Sequence, residues 1–252
     1  MHELLPSLNL ATWIWIAFAP PAFILLMVGW DPVGRVGGGG LGVGVEGRLA
    51  WILMELPALA TFPLVYFLSG NLHVVGNVAV VLWLAHYGHR TLVWPWFVPK
   101  KDATVSITMV AMALFFNGIT GGLIGWFMGY HADYAAGWLT DPRFLAGLVL
   151  MLGGAALNVW ADYRLLRLRK ASGGQRVMPR GGAFEVLACP NLAGEILEWI
   201  GFALLTWSFP ALAFAIWTVA NLAPRAFWRR NQYRESFADY PRGRAALIPK
   251  LL

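Results

Sequence analysis

Cysteine is almost absent from this sequence. Its single copy, Cys189, excludes an internal disulfide framework and any zinc site made of several thiolates. Histidine is sparse as well: His2, His73, His86, His89 and His131 are scattered without an HExxH or HxxxH pair, so no metal site is expected. There is no GxSxG elbow, and Cys189 has no histidine at a telling spacing, which excludes the familiar nucleophilic hydrolases. Charge is the scarcest property of all, since only 13% of the residues are Asp, Glu, Lys or Arg, against about 25% in soluble domains. The N-terminus lacks a basic segment and a small-residue cleavage site, so the first apolar stretch is read as a retained span and not as a signal peptide.

What fills the chain instead is hydrophobic: 58% of its 252 residues. A spanning helix takes roughly 20 apolar residues, and seven such spans are expected, at about 10–29, 50–69, 73–89, 104–129, 144–166, 192–208 and 210–228. The reading is an all-α integral membrane protein, a seven-transmembrane-helix bundle with the N-terminus outside and the C-terminus cytoplasmic. One domain, 1–252, uses the whole chain, with about 1–100 on a substrate side and about 101–252 on a cofactor side.

The net charge of +6 is explained by topology before nucleic acid, which is not an expected partner. In the seven-span frame Arg143 alone of the 19 Lys and Arg residues falls outside. Inside lie Arg35 and Arg48, then Arg90, Lys100 and Lys101, then Arg164 to Arg180, then the tail from Arg225 to Lys250. That surplus exceeds what orientation requires, and it points to an anionic ligand as well as to lipid headgroups.

Two glycine patterns need separating. Gly37 to Gly47 contains a literal GxGxxG at Gly42, Gly44 and Gly47, but no strand–helix unit surrounds it, so it reads as a linker between spans. Gly118 and Gly122, with Gly121, Gly125 and Gly129 beside them, have the small-xxx-small spacing that lets helix backbones approach. Packing inside one chain is the preferred reading, and a monomer is expected.

Charged and polar groups inside spans mark function or buried pairs. Glu55 is surrounded by apolar residues, with Trp51 one turn earlier on the same face as a candidate substrate contact. A carboxyl there is suited to stay neutral and donate a hydrogen bond. Tyr87, with His86 and Arg90 on the same broad face, adds a second donor, so the two could stabilise a developing oxyanion such as that of an enone receiving hydride. Asn158, Asp162 and Arg169 stack along one helix side at spacings of four and seven. Asn191 and Glu195 open the sixth span, with Glu198 deeper than a carboxylate should sit without a partner, and Arg225, Arg229 and Tyr233 repeat every fourth position in the last helix. Amides and carboxylates suit ribose and carboxamide groups, and arginines suit phosphate.

The motifs ELP at Glu55, HYGHRT, GWLTDPRF, NVWADYRLLRLRK, PRGGAFE, NLAGEILEWIGFALLTWS and RAFWRRNQYRESFADYPRGRAALIP occur in order from about Ala50 to the C-terminus. Together they resemble the membrane steroid 5α-reductase family. The tail alone also looks like the isoprenylcysteine methyltransferases and the sterol reductases. The resemblance implies a seven-helix bundle, an NADPH cavity facing the cytoplasm and a lipid-side opening for a steroid or steroid-like enone. It implies that Glu55 and Tyr87 polarise the 3-oxo group, and that Asn158, Asp162, Arg169, Asn191, Glu195, Arg225 and Tyr233 hold the cofactor, with Arg90 at the cavity mouth.

Three positions depart from the family pattern. Met54 replaces a glutamine before the motif glutamate, Arg176 or Val177 replaces a tyrosine, and Arg229 replaces a histidine, still a phosphate-binding type. Two rival readings are an S-adenosylmethionine-dependent membrane methyltransferase and a reductase of another enone lipid. A lipid-binding or transport protein would need polar residues joining both membrane faces, and that pattern is missing. A Gly-, Ala- and Trp-rich composition suggests a prokaryotic inner membrane.

Overall fold

The structure, a computed structural model, describes residues 5–28, 43–97, 104–173, 175 and 177–248. Most of the linker glycine run (37–42), with Arg35, Lys100, Lys101, Arg176 and Lys250, lies outside the described residues. The rest is mostly helical. In order come α1 (Leu5–Ala17), α2 (Ala19–Met27), β1 (Gly44–Glu46), α3 (Gly47–Leu68) and α4 (Val74–Gly88). A π-helical turn (His89–Val93) leads to α5 (Trp94–Phe97), then β2 (Thr104–Ser106), α6 (Ile107–Tyr130), α7 (Pro142–Ala171), α8 (Pro190–Thr206) and α9 (Phe209–Ser236).

Each expected span is largely helix, although the fourth opens in strand at Thr104–Ser106, and four segments are long and apolar enough to cross a membrane: Leu5–Met27, Gly47–Leu68, Ile107–Tyr130 and Pro142–Ala171. The boundaries move for identifiable reasons. The first segment breaks at Phe18, ahead of Pro20 and Pro21, which lack the N–H a continuous helix needs. The last one does not end near 228: α9 carries Pro224 within it and continues to Ser236. Strands β1 and β2 pair antiparallel, Val45 opposite Val105, and tie the starts of α3 and α6 together.

Two helix pairs set the frame, and both depend on missing side chains. On α6, Gly121, Gly125 and Gly129 lie against Thr61, Phe62 and Val65 of α3 and Ser69 just after it; a Cβ at Gly125 would fall 2.9 Å from the Phe62 carbonyl oxygen. These glycines therefore serve packing within the chain, whereas Gly118 faces open space. Helices α7 and α8 are closer still. A Cβ on Gly194 would sit 2.6 Å from both the Asn158 nitrogen and the Gly154 oxygen, and one on Gly201 would sit 2.6 Å from the Gly147 oxygen. Glycines seven residues apart on each helix thus bring the two backbones into contact.

A core of Phe62, Tyr66, Trp83, Tyr87, Trp199, Phe202 and Phe214 joins α3, α4, α8 and α9. A smaller cluster gathers Cys189, Tyr233, Tyr240 and Ala245 to Leu247 where the C-terminal tail folds back. There the Ala188 N–H donates to the Ala245 oxygen at 2.7 Å and the Ala245 N–H to the Val186 oxygen at 3.0 Å. Arg244, buried at 2% exposure, donates to the Pro179 carbonyl at 2.9 Å and reaches Glu185 at 3.4 Å. That arginine is a structural pin, not part of a solvated basic tail.

Gly201→Ala should lower the thermal midpoint in detergent, at an overpacking cost of about 1–3 kcal/mol. Gly118→Ala, with nothing within 4 Å, should be neutral or slightly stabilising. Equal effects would contradict the backbone contact. At the N-terminus of α7, Asp141 accepts from the Arg143 backbone N–H and side chain. The guanidinium first, then the backbone N–H, holds its carboxyl at about 2. A lowered folded pKa stabilises above the unfolded value near ~3.9, so acid titration should remove this contribution between about pH 4 and 2, and Asp141→Asn should abolish that part of the pH dependence.

Candidate functional site

The polar residues expected from the sequence divide into two groups. Glu55 is held on α3 by contacts of the backbone around it. The Met54 carbonyl accepts from Asn117 of α6 at 2.6 Å, and the Ala58 carbonyl accepts from the buried Trp83 indole of α4 at 2.7 Å. Pro57 contributes by leaving one carbonyl in this turn without an intrahelical partner. Met54 itself packs in an apolar cluster with Ala50 and Val110. The carboxyl of Glu55 therefore comes off a helix face fixed from two sides.

Tyr87, at 5% exposure, sits between aromatic walls, its ring 4.7 Å from Trp83 and 5.6 Å from Trp199. Glu55, Glu195, Glu198 and Arg90 are the charges that act electrostatically on its hydroxyl. The π-helical turn begins two residues later. The Arg90 carbonyl accepts from the Trp51 indole at 2.9 Å, and the Arg90 guanidinium lies 4.8 Å above the Trp51 ring. Trp51 thus holds Arg90 from both its edge and its face.

From Arg90 a chain of polar contacts runs across three helices. Arg90 meets Asp162 of α7 at 3.3 Å, with 13% and 14% of the two side chains exposed. The other oxygen of Asp162 accepts from the Asn191 amide at 2.9 Å. Asn158 in turn donates to the Asn191 carbonyl at 2.9 Å and to Glu195 at 3.3 Å. The Asn191 side-chain oxygen remains buried without a partner among the described residues.

Arg169 is not in this chain of contacts. It is exposed near the end of α7, about 10 Å further along the axis than Asp162. Arg225 and Arg229 are half-buried on α9. Tyr233 belongs to the tail cluster, its ring stacked 6.0 Å from Tyr240. At the same place burial pushes the Cys189 thiol up to about 11, so it carries no thiolate at neutral pH. Of the departures from the family pattern, Val177 is half-buried and Arg176 is outside the described residues.

Two contacts have no counterpart in the sequence reading. The His86 Nδ1 lies 2.8 Å from Glu198 Oε1, both side chains almost wholly buried, and His89 meets the Tyr163 hydroxyl at 3.2 Å. Glu198 was flagged by its depth, but its partner is 112 residues away, and no spacing rule spans that distance. Among the described residues no group of three or more His, Cys, Asp or Glu is placed to hold a metal ion. An open cavity of about 560 Å³ lies at the other end of α4, lined by His73, Tyr130 and Tyr134 among others. It touches none of this network.

A mostly helical chain with four apolar spans and a chain of amides, carboxylates, arginine and tyrosine inside defines a membrane protein with an internal polar site. Comparison with known proteins specifies which. Residues 103–252 match the family described as 3-oxo-5-alpha-steroid 4-dehydrogenase. The rat 3-oxo-5-alpha-steroid 4-dehydrogenase 1 is 37% identical over 228 residues, 88% of this chain and 86% of the relative. The Arabidopsis thaliana steroid 5-alpha-reductase DET2 is 36% identical over 240 residues, 91% of each chain. The Macaca fascicularis 3-oxo-5-alpha-steroid 4-dehydrogenase 2 is 39% identical over 209 residues, 80% of each. The chain belongs to the 3-oxo-5-alpha-steroid 4-dehydrogenase family of oxidoreductases.

Breaking the Arg90–Asp162 pair tests the network as built. Arg90→Met should destabilise by about 3 kcal/mol, because Asp162 is left buried beside other carboxylates. The double change Arg90→Met with Asp162→Leu should recover part of that loss, read as thermal midpoints in detergent. No recovery would mean that the pair is not a coupled unit.

Proposed function

We propose that this protein reduces the Δ4 double bond of 3-oxo-Δ4-steroids, such as testosterone or progesterone, to 5α-reduced 3-oxo-steroids, using NADPH. The observation that carries the reading is the Arg90–Asp162–Asn191–Asn158–Glu195 chain of contacts, with Glu55 and Tyr87 both acting electrostatically on its arginine. Family membership supplies the reaction class.

The donor set fits a dinucleotide. The buried, unpartnered Asn191 oxygen is an acceptor left for a carboxamide or hydroxyl donor. Asn158, Asp162 and Glu195 suit ribose and amide groups, while Arg169, Arg225 and Arg229 are phosphate-binding types and Tyr233 lines the same helix as the last two. When bound, NADPH would supply the hydride to C5.

The chain's own residues then have separable tasks. Glu55 and Tyr87 donate hydrogen bonds to the 3-oxo oxygen and stabilise the charge that develops there, in a site already walled by Trp83 and Trp199. Trp51 acts through Arg90, holding the guanidinium in place, and the ring edge away from its N–H would border the substrate. The bundle would cross the membrane seven times, with the N-terminus outside and the C-terminus cytoplasmic. Residues of about 1–100 would face substrate and about 101–252 the cofactor, in a monomer of a prokaryotic inner membrane. Another enone lipid in place of the steroid would need the same chemistry. An S-adenosylmethionine-dependent methyl transfer would not use an acid and a tyrosine aimed at one carbonyl.

Purified protein with NADPH and a 3-oxo-Δ4-steroid should consume the nicotinamide absorbance. Glu55→Gln and Tyr87→Phe should each lower kcat by about 100-fold or more while leaving the Kd for NADPH within about twofold. Full turnover in both variants would overturn the assignment.

A further inference from the structure

We propose that the His86–Glu198 pair holds the proton that the substrate receives, making it the acid of the reduction. The inference rests on the reductase reading above and adds to it the origin of the second hydrogen. Reduction of an enone adds one hydride equivalent and one proton across the double bond. Hydride at the β-carbon pushes the π electron pair toward the carbonyl, giving an enolate. The α-carbon then takes a proton, and the C=O bond is restored. That proton needs a donor, and the side chains around Tyr87 are largely buried.

The pair has the composition such a donor needs. A nitrogen and a carboxylate oxygen 2.8 Å apart must have a proton between them, whichever atom carries it, and imidazole and carboxyl are both groups that release one. Only 7% and 2% of the two side chains are exposed, so the shared proton is sheltered from solvent. The second oxygen, Glu198 Oε2, is buried with no partner among the described residues, which is a costly arrangement for a group with no further task.

Position supports the assignment. His86 precedes Tyr87 in the chain; their rings lie 4.9 Å apart, and the imidazole is 4.7 Å from Trp199. Glu198 is among the charges acting on the Tyr87 hydroxyl. The backbone of Glu198 is fixed by α7, since a Cβ at Gly154 would come within 2.9 Å of its Cα. The neighbouring groups are engaged otherwise. Glu195 accepts from Asn158, Asp162 accepts from Asn191 and pairs with Arg90, and a guanidinium does not give up its proton. The charges facing His86 are Glu198 and Glu195 from α8 and Arg90 from its own segment. After turnover the pair is refilled with one proton from water.

The experiment uses His86→Gln and Glu198→Gln in the full-length enzyme in detergent with NADPH and a 3-oxo-Δ4-steroid. Glutamine keeps a hydrogen bond across the pair but leaves one titratable group where the parent has two, so the proton is no longer shared. Both variants are expected to bind NADPH, measured by fluorescence, within about twofold of the parent, while kcat falls about 100-fold or more. The solvent deuterium isotope effect on kcat should rise, and the effect of deuterated nicotinamide should shrink as proton transfer becomes limiting. Turnover within about threefold of the parent, or a lowered kcat with the parent's solvent isotope effect, would overturn the proposal. If the parent itself does not consume NADPH with the steroid, the reductase reading falls with it; if the parent turns over and Glu55→Gln is inactive while the His86 and Glu198 variants are not, only the proton assignment falls. The parent enzyme gives a reading that needs no variant. Diluted from water into deuterium oxide for a single turnover, it should place protium at the α-carbon, and deuterium there would contradict a buried donor.

Discussion

The contact between the backbones of α7 and α8 is the constraint on which the site depends. Polar side chains in an apolar bundle must find partners within it, because lipid offers none. Here the partners come from helices that touch backbone to backbone. Gly194 lies against the nitrogen of Asn158, and Gly154 against the nitrogen and Cα of Glu198. Asn158 and Glu198 therefore stand directly beside two of these close approaches. Any side chain at these glycines would separate Asn158 from Asn191 and Glu195, whose hydrogen bonds are 2.9 and 3.3 Å long.

With that pair fixed, α3 and α4 complete the arrangement from the other side. Trp83 and Asn117 hold the backbone on either side of Glu55, and Trp51 holds Arg90 against Asp162. The π-helical turn at His89–Val93 changes the helical pitch just after Tyr87, and such turns are frequent at functional sites. One segment thus presents His86 to α8, Tyr87 to the Glu55 side and Arg90 to α7. The chemistry proposed for each follows from the helix it faces.

Much of this was legible in the sequence because lipid makes patterns plain. Long apolar runs located the helices, and a charged residue within such a run was conspicuous, which is why Glu55, Asp162, Glu195 and Glu198 stood out. Proline was less informative: it broke the first segment near Phe18 yet sat inside α3 and α9 without ending them. Helical spacing also placed Arg169 on the stripe of Asn158 and Asp162, but spacing does not show where a stripe leaves the bundle. The glycines of α6 were recognised by their spacing of four, whereas those of α7 and α8 recur every seven and escaped. Long-range pairs such as His86 with Glu198, or Arg244 with the Pro179 carbonyl, leave no local trace.

The central claim is that this cluster reduces an enone by hydride transfer. The most direct test is reduction of a 3-oxo-Δ4-steroid with nicotinamide-deuterated NADPH, followed by location of the label in the product. The account predicts one deuterium at C5, on the α face, and none at C4. A product without deuterium, or with it at any other carbon, would contradict it.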